Sequence, residues 1–442
     1  MENRKPIPYG GYGYRLFKHY VRFMHSRVFY RKVYYIGKEN IPAQGVPVVF
    51  ASNHQNCACD PLLLLLGLEN ESHPYVVARG DVFGKNHMVD RFFNWIGMVP
   101  AFRLNFDGAE ALKKNEAMLS VTTRRLLEGN RLIIFPEGGH QDKHFLGDFS
   151  FGYTRLAFQA AEQANFEQDI VIVPCCNHYS DYFDVKTEAL YRFGEPIHLQ
   201  PYYERYKQKP RTVQREVNQI VRQRIEAMML DIRDVENYEA IDFLRHGCTA
   251  QGSLPDVLEA DKAFVHKLAE AQETHPEEVA QLYRDALALK QAEEQIRVDD
   301  GTISRQKGIL STLGRTLLSL LLLPLWIVSL WPNILLYTLP LLFLKTDKMF
   351  TNTWRLILSV VLGVPFFLLL TLFVAGFGFG WWWQGVAWFL LYPLTVDIAW
   401  YGRQYLRRTV RQWRLLLRPK QADTIRQKRQ TLFECVAKIC KA

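Results

Sequence analysis

Two stretches of this 442-residue chain carry no charged residue: Thr316–Leu344, 29 residues, and Leu356–Val396, 41 residues. One helical crossing of a bilayer takes about 20 apolar residues, so runs of this length constrain the fold more than any other feature. The second run accommodates two helices, with Gly376-Phe377-Gly378-Phe379-Gly380 as the turn and Trp381–Trp383 at an interface. The first is long for one crossing and short for two. Pro324, Pro332 and Pro340 interrupt it, which favours a re-entrant or shallow hairpin.

The charges flanking these runs are basic. Arg305, Lys307 and Arg315 precede them, Lys345, Lys348 and Arg355 lie between, and Arg403–Ala442 holds twelve Lys or Arg against two acids. That tail carries +10 of a net +9, leaving residues 1–402 at −1 (9 − 10). Basic flanks mark the cytoplasmic side, and an even number of crossings satisfies all three. In the tail, Leu406, Val410, Trp413 and Leu417 form one seam and Arg407, Arg411, Arg414 and Arg418 the next. The pattern suits a helix on anionic lipid, with a packed soluble helix as the alternative. No nucleic-acid-binding motif accompanies the charge, so lipid rather than nucleic acid is the expected partner. The oligomeric state is open.

Seven cysteines, an odd number without framework spacing, suit a reducing compartment. Cys57 and Cys59 lie beside His54, but a lone Cys-x-Cys lacks the second pair of a zinc site, and nothing nearby would activate a thiol. No metal is expected. At the other end, residues 1–32 hold a basic, aromatic amphipathic helix. Phe17, Tyr20, Val21, Met24 and Val28 share one face, with Arg15, Lys18, His19, Arg22 and His25 on the other. It could lie in a membrane interface or pack on its own domain.

Residues 33–232 alternate short β-branched runs with helices of ten or more residues, the pattern of an α/β sheet with a buried parallel centre. Chemistry in such sheets sits beyond the carboxyl ends of strands. Four pieces fall there. Val48–Ser52 delivers Asn53 and His54, and Asp60-Pro61 reads as a helix cap followed by proline at the first helical position. Arg103 follows the apolar run Met98–Phe102. Leu132–Phe135 stops at Pro136-Glu137-Gly138-Gly139, and Ile170–Val173 stops at Pro174. Taken singly, each has a plain structural reading: a cap and a turn, a surface arginine, a strand-to-turn glycine pair.

Together and in order, these blocks resemble the four motifs of the PlsC-like glycerolipid acyltransferase family. Those motifs are a His-x4-Asp, a segment ending in arginine, a Phe-Pro-Glu-Gly and a hydrophobic-Val-Pro. The stretch Phe135–Lys143, with Gly152 and Arg155 downstream, is most similar to the branch acylating glycerol 3-phosphate or dihydroxyacetone phosphate. Five residues, not four, separate His54 from Asp60, so the extra one must bulge in the loop.

The resemblance implies that His54 is the general base and Asp60 its orienter. It implies that Arg103, Glu137, Gly138, Gly139 and Lys143 hold the acceptor. Glu137 cannot pair with phosphate, so it would take a hydroxyl hydrogen bond or orient Arg103. No cofactor is implied, since acyl-CoA or acyl-ACP (acyl carrier protein) is a co-substrate.

The expected fold is an α/β acyltransferase sheet with flanking helices, a helical arm at 233–305 and a C-terminal α-helical membrane region at 306–402. Within that region, 316–344 would be re-entrant and 356–399 a two-helix hairpin, with 403–442 as basic tail. The implied protein is an integral membrane O-acyltransferase, its catalytic domain and tail cytoplasmic, acting on glycerol 3-phosphate. Lysophosphatidic acid as acceptor, thioester hydrolysis, and a non-enzymatic lipid-binding scaffold are the alternatives.

Overall fold

The computed structural model of the chain describes residues 11–101, 110–139, 143–248, 252–338, 350–362, 369, 372 and 382–439. It divides into two compact units, Met1–Met229 with Thr346–Leu356, and Leu230–Lys345 with Ile357–Ala442.

The first unit is a mixed α/β sheet. Its strands are β1 (Lys32–Ile36), β2 (Val48–Ser52), β3 (Tyr75–Arg79), β4 (Met98–Ala101), β5 (Arg131–Ile134), β6 (Val171–Tyr179), β7 (Glu188–Phe193) and β8 (Ile197–His198). Their order is β1-β7-β6-β2-β5-β3-β4, with β8 beside β6. From β6 to β4 every pairing is parallel, while β7 and β8 run antiparallel to β6. All five residues of β2 are buried, because helices cover both faces. Val49 and Ala51 pack under α5 (Gly152–Gln163) and α7 (Pro210–Met228), in a core with Phe158, Val217 and Val221. Phe50, pointing the other way, meets Phe193 edge-on.

The strand expected over Ile170–Val173 runs on to Tyr179, straight through Pro174. A proline is tolerated there because β8 pairs only Val171 and Ile172, and β7 pairs only Cys175–Tyr179. Pro174 O accepts from Gly194 N (2.8 Å) at the corner between those partners, so the missing N–H falls where no ladder bond is required. Asn86 caps α3 (His87–Trp95), accepting from Met88 N and Val89 N, while Asp81 pairs with Arg79.

The N-terminal helix α1 (Tyr12–Phe23) packs within this unit. Its packed side includes basic residues that the amphipathic reading had placed outward. Tyr14 stacks on His73, and the Lys18 ammonium donates to Glu69 O (2.6 Å) and Ser72 O (3.0 Å). The Arg22 guanidinium reaches Leu66 O and Leu68 O. These carbonyls end α2 (Cys59–Gly67), and cations satisfy a helix carboxyl terminus that has no partners of its own. Leu16 and Phe23 are left exposed.

In the second unit, α8 (Tyr238–Cys248), α9 (Leu254–Thr274) and α10 (Pro276–Ile296) form the helical arm. Next, α12 (Ile309–Tyr337) continues through Pro324 and Pro332, so over the described residues the re-entrant hairpin expected at 316–344 is not formed. A proline within a helix removes one hydrogen bond but need not reverse the chain. The glycine turn expected at Gly376–Gly380 lies outside the described residues. The boundary expected at 402/403 falls inside one helix, α14 (Trp382–Leu416), which has Pro393 in its interior. Gly402 lets α14 close onto Trp326 of α12. The end of the tail does not lie free: α15 (Pro419–Ile439) packs along α10, burying Ala422, Ile425, Leu432 and Val436.

Candidate active site

Strands β2 and β5 run in register, Ala51 opposite Ile134, so Asn53-His54 and Phe135-Pro136-Glu137 leave the sheet side by side. β6 ends at the same edge. Asn53 is fixed across to it, exchanging bonds with the Asn177 backbone (3.1 and 2.8 Å) while the Asn177 amide donates to Asn53 O (2.7 Å).

The loop after His54 folds back as the extra residue requires. Cys57 takes φ +40°, a left-handed conformation that turns the chain into α2. Asp60 is therefore not the helix cap expected from sequence. Ala58 occupies that position, and Asp60 lies in the first turn with its carboxylate aimed back at the loop. Asp60 Oδ2 accepts from His54 Nδ1 (2.7 Å), Gln55 N (2.7 Å) and Asn56 N (2.8 Å), and Oδ1 accepts from the Tyr179 hydroxyl (2.6 Å). Burial holds the Tyr179 phenol far above its ordinary range, so it remains a donor. Gln55 N and Asn56 N can only donate, so Asp60 Oδ2 acts as an acceptor toward its partners. His54 Nδ1 must then carry the proton in the neutral ring, which leaves Nε2 with the basic lone pair.

Glu137 departs from expectation. Its two oxygens accept from His54 N (2.8 Å) and Gly147 N (2.8 Å), so the side chain clamps the histidine loop to the segment after Lys143. Burial raises its carboxyl pKa, against the pull of those two N–H groups. Phe135 stacks on the His54 ring, centroids 4.3 Å apart, and fixes its plane. Gly138 turns at φ +63° with its N–H donating to Phe135 O (3.1 Å), and Gly139 is exposed with open space beside it. Lys143 is half-buried in the same loop, its carbonyl accepting from Phe145 N. β4 ends at Ala101, and Arg103 lies outside the described residues.

Three contributors were not found by sequence reasoning. Tyr179 is 119 residues from Asp60, at the end of a strand that the sequence appeared to stop at Pro174. Tyr182 donates to Gln55 Oε1 (2.8 Å) and contacts His144 Nδ1 (3.2 Å), bracing the loop from behind. The third comes from between the two apolar runs. Helix α13 (Thr351–Ile357) belongs largely to this unit, and Thr353 Oγ1 accepts from Ala58 N (3.1 Å). Asn352 and Arg355 anchor it on Asp184 O and Phe183 O. Burial pushes the Cys57 and Cys59 thiols up, which keeps them protonated. Among the described residues no three His, Cys, Asp or Glu side chains gather as a metal ion would need.

Fold and site together define an α/β domain with a carboxylate-oriented imidazole at the carboxyl edge of the parallel part of the sheet. Residues 32–178 match the family model described as Acyltransferase. Over 108 residues, 24% of this chain, the sequence is 33% identical to glycerol-3-phosphate O-acyltransferase 2 of Saccharomyces cerevisiae, a stretch covering 14% of that protein. The crystal structure of the 1-acyl-sn-glycerophosphate (LPA) acyltransferase PlsC from Thermotoga maritima is similar at 16% identity and TM-score 0.33, over 47% of this chain and 75% of that one. A likeness of that size carries no argument. The sequence matches are thus to acyltransferases, over a part of the chain that includes residues 32–178, and a glycerolipid acyltransferase is the reading they support.

Proposed function

We propose that the chain is a membrane-bound O-acyltransferase moving a fatty acyl group from acyl-CoA or acyl-ACP to a hydroxyl of glycerol 3-phosphate. The observation carrying this is the 2.7 Å bond from His54 Nδ1 to a carboxylate held by three other donors. In the proposed step the acceptor hydroxyl oxygen attacks the thioester carbonyl carbon while His54 Nε2 takes its proton. The C–O bond forms, the C–S bond breaks, and the imidazolium returns the proton to the departing thiolate. No acyl-enzyme is needed, because the thioester is already activated.

Asp60 steadies the imidazolium through the transfer. Arg103 and Lys143 are the proposed phosphate partners, by bidentate and point-charge pairing respectively, and the Gly139 backbone N–H is proposed as a further donor. Glycerol 3-phosphate is preferred as acceptor because the yeast relative's name specifies it.

The membrane assignment rests on α12. Ile309–Leu330, 22 residues, is only 11% buried within the structure, which a core helix of a soluble protein would not be. At 1.5 Å per residue it is about 33 Å long, enough for a hydrocarbon core of about 30 Å. A long acyl chain partitions at about 0.8 kcal/mol per CH₂, so a site at the bilayer surface spares extraction of donor and product. The catalytic domain and basic tail are proposed on the cytoplasmic side.

The test is purified protein with a labelled acyl thioester, offered glycerol 3-phosphate, dihydroxyacetone phosphate and lysophosphatidic acid in turn, with CoA and carrier-protein donors compared. Acyl glycerol phosphate should form with the first. Turnover without any acceptor would identify a hydrolase instead, and no turnover with any donor would leave a lipid-binding scaffold.

A further inference from the structure

The second unit holds a cavity of about 320 Å³ that the acyl-transfer reading does not use. It lies where the loop before α12 meets α14, and Arg305, Lys307, Arg315 and Arg408 line it with Asp299 and Gln412. Four cations face one carboxylate, and that carboxylate is already engaged. Asp299 pairs with Arg411 and accepts from Thr302 N (2.8 Å). The cavity thus keeps a surplus of positive charge.

It is also built rather than incidental. Gln412 is buried and its Oε1 accepts from Lys307 N (2.9 Å), tying the loop to α14. Arg315 is placed over the Tyr405 ring, 4.1 Å from its centroid, and donates to Thr409 Oγ1 (3.3 Å). Arg305, Lys307 and Arg408 stay exposed. No side chain caps α12 at Gly308, so its first N–H groups add partial positive charge at the same end.

What adjoins the cavity decides the occupant. The apolar surface of α12 begins within one turn of Lys307. Leu310, Leu317 and Leu321 are 82%, 67% and 75% exposed. A cationic hollow opening onto a strip of bare leucine matches a molecule with a phosphate at one end and hydrocarbon at the other.

We propose that this cavity seats the phosphate of an anionic membrane glycerophospholipid, whose chains lie along the exposed leucines of α12. The assignment rests on the reading of α12 as a membrane helix, and it is independent of which acceptor the catalytic unit acylates. Free inorganic phosphate shares the charge chemistry but leaves the adjoining leucine face unexplained.

The test uses the full chain in non-ionic detergent micelles, with a fluorescent-tailed phosphatidic acid read by anisotropy. Dioctanoyl phosphatidic acid, dioctanoyl phosphatidylcholine and inorganic phosphate serve as competitors. Each juxtamembrane cation contributes roughly fivefold in affinity. The combined Arg305→Gln, Lys307→Gln, Arg408→Gln variant should therefore bind the probe about 100-fold more weakly, and Arg408→Gln alone about fivefold. Because these side chains are exposed, the thermal midpoint should not move. His54→Ala should bind like wild type.

Equal competition by phosphatidylcholine, or undiminished binding by the triple variant, would overturn the proposal. So would inorganic phosphate competing at the same molarity as the lipid, or loss of binding in His54→Ala. A chain that is monomeric and soluble without detergent would remove both the membrane reading and this occupant. Absence of acyl transfer, with lipid binding intact, would count against the catalytic reading alone.

Discussion

Replacing Glu137 by glutamine separates two roles for that residue. The carboxylate accepts one bond from His54 N and one from Gly147 N, each at 2.8 Å. Glutamine offers one oxygen and one NH₂, so in either orientation one buried backbone donor meets another donor. A hydrogen bond to a charged group is worth about 1.5–3 kcal/mol, and a stranded buried donor costs about 1–3 kcal/mol. Relief of the carboxylate's desolvation offsets part of this, leaving a net loss of roughly 1.5–2.5 kcal/mol. If half or more of that loss appears as displacement of His54 in the transition state, kcat falls about 3- to 70-fold.

The Michaelis constant for the acceptor should change little, because the clamp touches the enzyme's own backbone and not the substrate. The assay is steady-state transfer from a labelled thioester with acceptor varied at saturating donor, alongside a thermal melt. A tenfold or larger rise in acceptor KM at unchanged kcat would refute the clamp and restore direct contact between Glu137 and the acceptor. Titration gives an independent check. Burial raises the Glu137 pKa above its unfolded value, so the unfolded state releases its proton first. Wild type should then lose stability relative to Glu137→Gln as pH rises from the unfolded value through the raised one. The opposite trend in denaturant titrations would contradict that cause.

Replacing His54 by alanine should cost at least about 10²-fold in transfer rate, the scale of a general base, with lipid binding retained; an unchanged rate in a folded protein would dismiss the assignment. Tyr179→Phe removes one donor from Asp60 and should destabilise the catalytic unit by about 1.5–3 kcal/mol while lowering kcat, with both effects read on the same preparation. Thr353→Val strands the Ala58 N–H and should reduce kcat several-fold, and Thr353→Ser should restore it. A loss that Ser does not rescue would indicate packing and not the hydrogen bond.

Much of the catalytic unit was legible because short-range chemistry wrote it. The β-branched runs Val48–Ser52 and Arg131–Ile134 are strands wherever both faces are covered. Polar residues placed just after them must emerge at a sheet edge, so His54 and Glu137 could be assigned to one neighbourhood from sequence. The extra residue between His54 and Asp60 even required a bulge, which Cys57 supplies at positive φ. The direction of Asp60 was not legible, since a first-turn aspartate can cap its own helix or reach backward, and only the loop's closure chose between them.

What the amino-acid sequence determined by itself were periodicities: which runs are strands, which helices are apolar, and where charge gathers. What only the tertiary structure decided were partners far apart in the chain. Tyr179 on Asp60, Lys18 turned inward onto the segment after α2, and Thr353 returning from between two apolar runs to hold Ala58 are of this kind. A residue's own neighbours set its backbone preference. The donor that satisfies a buried carboxylate is set by which strands lie side by side, and that order is a property of the folded sheet.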